Sequence, residues 1–313
     1  MRSYKIVVTA VLLTAGIWFT QQGQTQTHRK LIVASTSDLA SIAQFIAGDN
    51  YEALSVMEGG GNPSLLIPSK ITVLRAKKAE TYFNFGNQLE AFWEPSFFSD
   101  AEAPAIEPGS TGYHTVTEGI TLLPTSSAES TIQPVMHQAG NPYVWLDPNN
   151  CKQIAQNIAA VLSARYPSDQ PVFQANKERL IQEIDVYIER INKRLKPFEN
   201  TKVAAFDHSF DYFARRFGIA IAEYIQPAPG VIPNTKRIKT VADSMSAQNI
   251  HTVLVPDYLS DRFVQQLSEH IQVKHIKLPV CGGKEWATDY FKFLNQFTQT
   301  IIDGFKAEET KQE

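Results

Sequence analysis

Cysteine and net charge are both scarce in this chain. Of its 313 residues only two are cysteines, Cys151 and Cys281. In an exported protein such a pair can form one bridge or remain as two small buried side chains. The formal net charge is -3, from 29 basic and 32 acidic residues. This weakly acidic balance argues against nucleic acid or an anionic lipid surface as the main partner.

Motifs of nucleotide binding and of hydrolytic catalysis are missing as well. The glycine run at 59–61 follows a strand pattern but leads to Pro63, without the Lys-Ser or Lys-Thr pair of a phosphate-binding loop. The nucleophile-elbow pattern is absent, and no Ser-His-Asp set can be assigned. We therefore expect a binding protein and not an enzyme.

The N-terminal apolar stretch is too short to span a bilayer. It runs from Ile6 to Phe19, whereas a membrane-spanning helix needs ~20 apolar residues. Two positive charges, Arg2 and Lys5, precede it, as in an export signal. The polar tail that follows has no clear small-x-small cleavage site and no cysteine for a lipid anchor. We expect a periplasmic or extracytoplasmic protein whose N-terminal segment is either cleaved or kept as an anchor.

Strand and helix patterns alternate through the rest of the chain. The apolar content of 43% is enough for two cores. Between the two alternating regions, "VFQANKERLIQEIDVYIERINKRL" has helical spacing and neither Gly nor Pro. The pattern predicts an α/β protein of two Rossmann-like lobes with parallel sheets, joined by one long rigid helix, with a ligand cleft between the lobes. We place a signal peptide or anchor at 1–27, the N-terminal lobe at 28–168, the connecting helix at 169–197 and the C-terminal lobe at 198–313. A long polar surface loop is expected from Phe98 to Gln138.

Several segments together resemble one known family. They are "LIVASTSDLASIAQFIAGD", "EGITLL", "VWLDPNNCKQIAQNIAAVL", "DYFARRFGI" and the long helical segment. The chain from about Lys30 to Phe305 resembles the periplasmic zinc and manganese solute-binding proteins of bacterial ABC importers. The resemblance implies a monomer that captures a metal ion and delivers it to an ABC permease in the cytoplasmic membrane, with no nucleic acid partner.

The same resemblance locates a ligand set whose residue types have changed. The family usually holds its metal with three histidines and a carboxylate. In the loop "NPSLLIP", Ser64 takes the place of the first histidine, and Tyr143, directly before Val-Trp-Leu-Asp-Pro, takes the place of the second. Asp207 takes the place of the third, with His208 one residue later. The loop after "TVLV" offers Asp257 for the fourth position, and Asp261 is the other choice there.

These donors are harder than three histidines, so the set favours manganese over zinc, or ferric iron if the Tyr143 phenol ionises. His137, in the preceding loop, is a substitute nitrogen ligand. Each residue also has an ordinary interpretation. Tyr143 can pack on Trp145, Asp207 can cap the following helix, His208 can lie at the surface, and the aspartates after "TVLV" suit a turn.

The sequence is also consistent with two other functions. In the first, the cleft has lost its metal and binds a small organic ligand or a metal chelate, in a pocket lined by Tyr143, Trp145, Phe206 and Tyr258. In the second, the chain is an exported accessory or interaction protein that binds no small ligand.

Overall fold

A computed structural model describes residues 29–125, 136–282 and 289–309, with side chains as far as Lys306. The export signal at 1–27 lies outside the described residues. Among the helices of the described part, none has the length and apolar character needed to cross a membrane.

The first sheet contains four parallel strands in the order β2-β1-β3-β4. The first helix follows β1 directly, because Thr36 caps its start by accepting a hydrogen bond from the Leu39 N–H at 3.3 Å. Gly48 ends it with φ 75°, a left-handed conformation that favours glycine. The elements are β1 Lys30–Ala34, α1 Ser37–Ala47, β2 Tyr51–Ser55, α2 Lys70–Ala76, β3 Thr81–Asn84, α3 Glu94–Ala101 and β4 Tyr113–Thr115.

The loop expected from Phe98 to Gln138 is wrong in two places. Residues 98–101 finish α3, and Tyr113–Thr115 form β4, which pairs with β3 in the register Phe83↔His114. A strand of three partly polar residues has no apolar alternation to reveal it. Its backbone hydrogen bonds to β3 therefore appear only in the folded chain.

Two long helices follow the first sheet. Helix α4 spans Pro148–Arg165, and its cap Asp147 accepts a hydrogen bond from the Asn149 N–H. Helix α5 spans Gln170–Leu195 without interruption and links the two sheets. Its buried residues recur three, four or seven positions apart, so one face packs on the core. These residues are Phe173, Leu180, Ile184, Tyr187, Ile191 and Leu195.

The second sheet repeats the parallel arrangement, in the order β6-β5-β7-β8. The two parallel sheets and the linking helix confirm the predicted fold class, while the exact lobe boundaries stay a prediction. The elements are β5 Lys202–Ala205, α6 Asp211–Phe217, β6 Ala220–Tyr224, α7 Thr235–Ala247, β7 Thr252–Pro256, α8 Arg262–Ser268, β8 Lys274–Leu278 and α9 Tyr290–Glu309.

Trp145 joins the two lobes. Its side chain is fully buried and stacks on Phe85 of the N-terminal lobe, with ring centroids 4.4 Å apart. Its indole N–H donates to the carbonyl oxygen of Val280, just beyond β8, at 3.0 Å. One side chain therefore packs in the first lobe and forms a hydrogen bond to the second.

An ion pair supports the same interface. Arg216 of α6 donates to both carboxylate oxygens of Asp147, at 2.7 and 2.8 Å. Such two-point pairing fixes orientation as well as distance. The residue that caps α4 is thus also held by the opposite lobe.

We predict that Trp145→Phe loosens the contact between the lobes. The substitution leaves the buried carbonyl of Val280 without its donor, which should cost about 1–3 kcal/mol of unfolding free energy. It should also speed hydrogen exchange at the nearby Gly282 amide, which donates across the interface to the Asp38 carboxyl at 3.0 Å, as measured by NMR or mass spectrometry. The matched control is Trp93→Phe, which removes an indole bond of 2.9 Å to Pro63 inside the N-terminal lobe. Equal exchange at Gly282 in the two variants would contradict the role of Trp145.

Candidate metal centre

The loop that carries Tyr143 is held in place by Asn141. The Asn141 side-chain oxygen accepts a hydrogen bond from the Tyr143 N–H at 3.0 Å, and its amide nitrogen donates to the His208 carbonyl at 2.7 Å. Its own carbonyl accepts a hydrogen bond from the Tyr212 hydroxyl at 2.9 Å. Asn141 is fully buried, so it ties the Tyr143 loop to the C-terminal lobe. Sequence reasoning missed this residue, and its position before Pro142 was the available signal.

Tyr143 faces oxygen-bearing residues of the second lobe. Its hydroxyl lies near those of Tyr258 and Ser209, and the Asp207 carboxyl is close enough to act on it electrostatically. Asp207 follows β5 and Tyr258 follows β7, and these two strands are neighbours, so their carboxyl ends bring the two side chains together. Burial, followed by the charge of Asp207, raises the pKa of the Tyr143 phenol.

Asp207 combines the two interpretations that the sequence allowed. Its Oδ1 accepts a hydrogen bond from the Ser209 N–H at 2.9 Å and caps the short helical turn His208–Phe210. The same carboxyl lies beside Tyr143 and Tyr258. Burial raises the pKa of Asp207, while its interaction with Ser209 opposes the shift. A cap and a site residue are therefore compatible in one side chain.

Ser64 and His137 meet on the N-terminal side of the cluster. Ser64 is fully buried, and its Oγ lies 3.1 Å from His137 Nε2. The His137 ring packs edge-to-face on Tyr143, with centroids 5.9 Å apart. Burial lowers the pKa of His137 from 6.5 to about 4, so the imidazole is neutral at neutral pH. The nitrogen predicted as a substitute ligand thus lies next to the position of the lost one.

Two of the other predicted residues, His208 and Asp261, have partners outside the cluster. His208 Nδ1 lies 2.8 Å from Asp211 Oδ2, and its ring packs on Tyr224 at 4.0 Å between centroids. Asp257 is exposed, and Asp261 pairs with Lys277 at 2.7 Å. The structure therefore does not bring the His208 imidazole or Asp261 into the Tyr143 cluster.

A buried thiol lies close to the cluster. Cys281, just after β8, acts electrostatically on Tyr143 and interacts with the Asp38 carboxyl. Both oxygens of Asp38 accept from the Gly282 N–H, at 3.0 and 3.2 Å, and burial raises the pKa of Asp38 to about 7. Cys281 is a free thiol, as is Cys151, which donates to the Tyr290 hydroxyl at 3.0 Å. Sequence reasoning considered Cys281 as a bridge partner or a small buried side chain and not as a neighbour of the site, although its place at a strand end was a signal.

Conventional ligands do not suffice for a metal centre here. Within the described ranges, no group of three or more His, Cys, Asp or Glu lies close enough together to hold an ion. A metal in this cluster must therefore be bound partly by hydroxyl oxygens, which Tyr143, Tyr258 and the serines supply.

Two parallel sheets joined by one long helix, with polar side chains converging where the strands end, define a two-lobed solute-binding protein. The chain belongs to the family described as the periplasmic component A of the zinc-uptake complex, whose sequence profile matches residues 32–304. This confirms the family resemblance. The family is one of substrate-binding components and not of enzymes, in agreement with the expectation from sequence.

Curated relatives match most of the chain. The metal ABC transporter substrate-binding lipoprotein ScbA of Streptococcus cristatus is 22% identical over 314 residues, which cover 97% of this chain and 99% of the relative. The manganese ABC transporter substrate-binding lipoprotein PsaA of Streptococcus mitis is 23% identical over 248 residues, 77% of each protein.

Solved structures of the same fold include FpvC from Pseudomonas aeruginosa in complex with Mn²⁺. Its TM-score is 0.73 at 19% identity, and the match covers 90% of this chain and 99% of that one. A manganese-bound periplasmic metal-binding protein from Candidatus Liberibacter asiaticus has a TM-score of 0.71 at 20% identity, covering 88% and 98%. At such identities the likeness shows the fold alone.

The buried, neutral His137 predicts a pH dependence of stability. Between pH 6.5 and about 4 the unfolded chain binds a proton on this residue and the folded chain does not. Stability should therefore fall as the pH drops through this window, by up to about 3 kcal/mol. His137→Asn removes the titrating ring and keeps a residue that tolerates φ 55°.

We measure urea unfolding of both proteins from pH 7 to pH 4. The stability advantage of the unsubstituted protein over His137→Asn should shrink as the pH falls. Ser64→Ala is the control, because it removes the partner and keeps the imidazole, so its profile should retain the decline. Parallel curves for the unsubstituted protein and His137→Asn would show that His137 is not held neutral by burial.

Proposed function

We propose that this chain is the extracytoplasmic solute-binding component of a metal-ion ABC importer, with an altered site that favours manganese or iron over zinc. The observation that carries the proposal is the cluster of Tyr143, Tyr258 and Asp207 between the lobes. The curated relatives are named as manganese or metal ABC transporter substrate-binding proteins, which supports a metal ion as the transported ligand.

The donor types support the change in preference. Zinc sites favour imidazole, thiolate and carboxylate ligands, most often four in a tetrahedral arrangement. The Tyr143 cluster offers phenol and carboxylate oxygens, with the imidazole of His137 packed on the Tyr143 ring. Oxygen donors suit harder ions, so we expect manganese or iron to bind better than zinc.

Capture between the lobes follows from the architecture. The uninterrupted helix α5 resists wide hinge bending, and hydrogen bonds such as that from the Asn141 amide to the His208 carbonyl already join the lobes. Small movements then close the site over the ion. In this proposal a monomer delivers the ion to a membrane permease that recognises both lobes. The N-terminal segment at 1–27 exports the protein and is either cleaved or kept as an anchor.

The organic-ligand alternative loses part of its predicted pocket. Trp145 is fully buried against Phe85 and Val280, and Phe206 packs on Phe263 in the core of the C-terminal lobe. The accessory-protein alternative gains support from the lack of three conventional ligands in the part of the chain that the structure describes. A direct measurement of metal binding separates both alternatives from the proposal.

The direct test is elemental analysis of the purified protein, followed by titration with manganese, zinc and iron while the melting temperature is recorded. We expect one metal ion per chain and a rise in melting temperature, largest for manganese or iron. An ion that binds only the folded state must stabilise it. No bound metal and no shift would overturn the proposal and favour an accessory protein.

Tyr143→Phe should weaken metal binding at least ten-fold, the equivalent of about 1.4 kcal/mol. The change removes one oxygen and keeps the ring that packs on Trp145 and His137. Isothermal titration measures the affinity. Tyr187→Phe is the matched control. Tyr187 lies on α5, away from the site, and the change removes a buried hydroxyl that contacts Thr298. Equal affinities in the two variants would exclude Tyr143 as a ligand.

The double change Ser64→His with Tyr143→His should raise zinc affinity above that of the unsubstituted protein. It returns imidazoles to the two positions at which the family carries them, and zinc favours nitrogen donors. Competition with a fluorescent zinc chelator measures the gain. If zinc affinity does not rise, then these two loops do not occupy the positions of the family's ligand loops.

A further inference from the structure

Tyr258 gives the site a second phenol, from the opposite lobe. Its hydroxyl lies near those of Tyr143 and Ser209 and within electrostatic reach of Asp207. Tyr143 belongs to the loop before α4, whereas Tyr258 follows β7. Each lobe therefore contributes one phenol oxygen to the same small volume.

Among the described residues, the Asp207 carboxyl has no basic side chain as an ion-pair partner. Ser209 is fully buried, and its hydroxyl has no hydrogen-bond partner of normal geometry within the structure. Buried polar groups are normally satisfied, so a carboxyl and three hydroxyls that converge in this way suit a bound cation.

Charge and donor type together select the ion. Phenolate and carboxylate are hard anionic donors, which match a hard, highly charged cation. A bound cation favours ionisation of the groups that contact it. Two phenolates and one carboxylate carry three negative charges, which a trivalent ion neutralises. A divalent ion would leave a net negative charge in a mostly buried site, which is costly.

Resting on the proposed function, we propose that the ion this site selects is ferric iron, held by the phenolate oxygens of Tyr143 and Tyr258 and the carboxylate of Asp207. The His137 ring packs edge-to-face on the Tyr143 ring beside this site. On binding, each phenol loses its proton to the solvent, and each resulting phenolate oxygen donates one lone pair to the iron. The iron stays ferric throughout, so no oxidant or reductant is needed.

The test adds ferric citrate to the purified protein and records the visible spectrum, with manganese(II) and zinc(II) as separate titrations. Phenolate bound to ferric iron gives a charge-transfer band in the visible range. We expect this band in the unsubstituted protein, with ferric affinity at least ten-fold above that for manganese. Tyr143→Phe and Tyr258→Phe should each weaken ferric binding at least ten-fold, and Tyr187→Phe should leave it unchanged.

Resonance Raman spectroscopy of the unsubstituted protein with bound ferric iron gives a second test, which does not require any variant to fold. Phenolate vibrations enhanced in the visible band support the inference. Stoichiometric manganese binding without a ferric charge-transfer band overturns the inference and leaves the proposed function standing. A band that Tyr258→Phe does not change overturns the role of the second phenol. Absence of any metal binding overturns both.

Discussion

The hydrogen bonds that cross between the lobes determine where every other part of the site lies. The Trp145 indole bonds to the Val280 carbonyl, the Asn141 amide to the His208 carbonyl, and the Asp38 carboxyl to the Gly282 amide. The first and third are buried and the second is half-buried, so separating the buried two without replacement partners would cost about 1–3 kcal/mol each. The loops that carry Tyr143 and Asp207 therefore have little freedom relative to one another.

Much of the fold could be predicted from local patterns in the sequence. Alternating strands and helices predicted two parallel sheets, and the segment ending at Leu195 predicted the linking helix, because helical periodicity and the lack of Gly and Pro are local properties. Strand β4 could not be predicted from the sequence, since three partly polar residues carry no periodic signal. Its pairing with β3 depends on backbone groups that any sequence supplies.

Only part of the site could be predicted from the sequence, because several of its contacts join residues that are distant along the chain. The place of Tyr143 follows from its position before Trp145, and that of Asp207 from the end of a strand. The contact between Ser64 and His137 joins residues 73 positions apart, and nothing local to either one predicts it. The same holds for Asp207 and Tyr258, which lie close together because β5 and β7 are neighbours in the sheet.

The chain illustrates how a shared fold can carry changed chemistry, because function depends on the side chains placed at the site. Anomalous diffraction from crystals of the protein grown with iron or manganese, recorded at the absorption edge of each metal, tests this account most directly. The account predicts one strong peak between the Tyr143 and Tyr258 hydroxyls and the Asp207 carboxyl. A crystal with no peak there, or with peaks only at surface histidines, would contradict it.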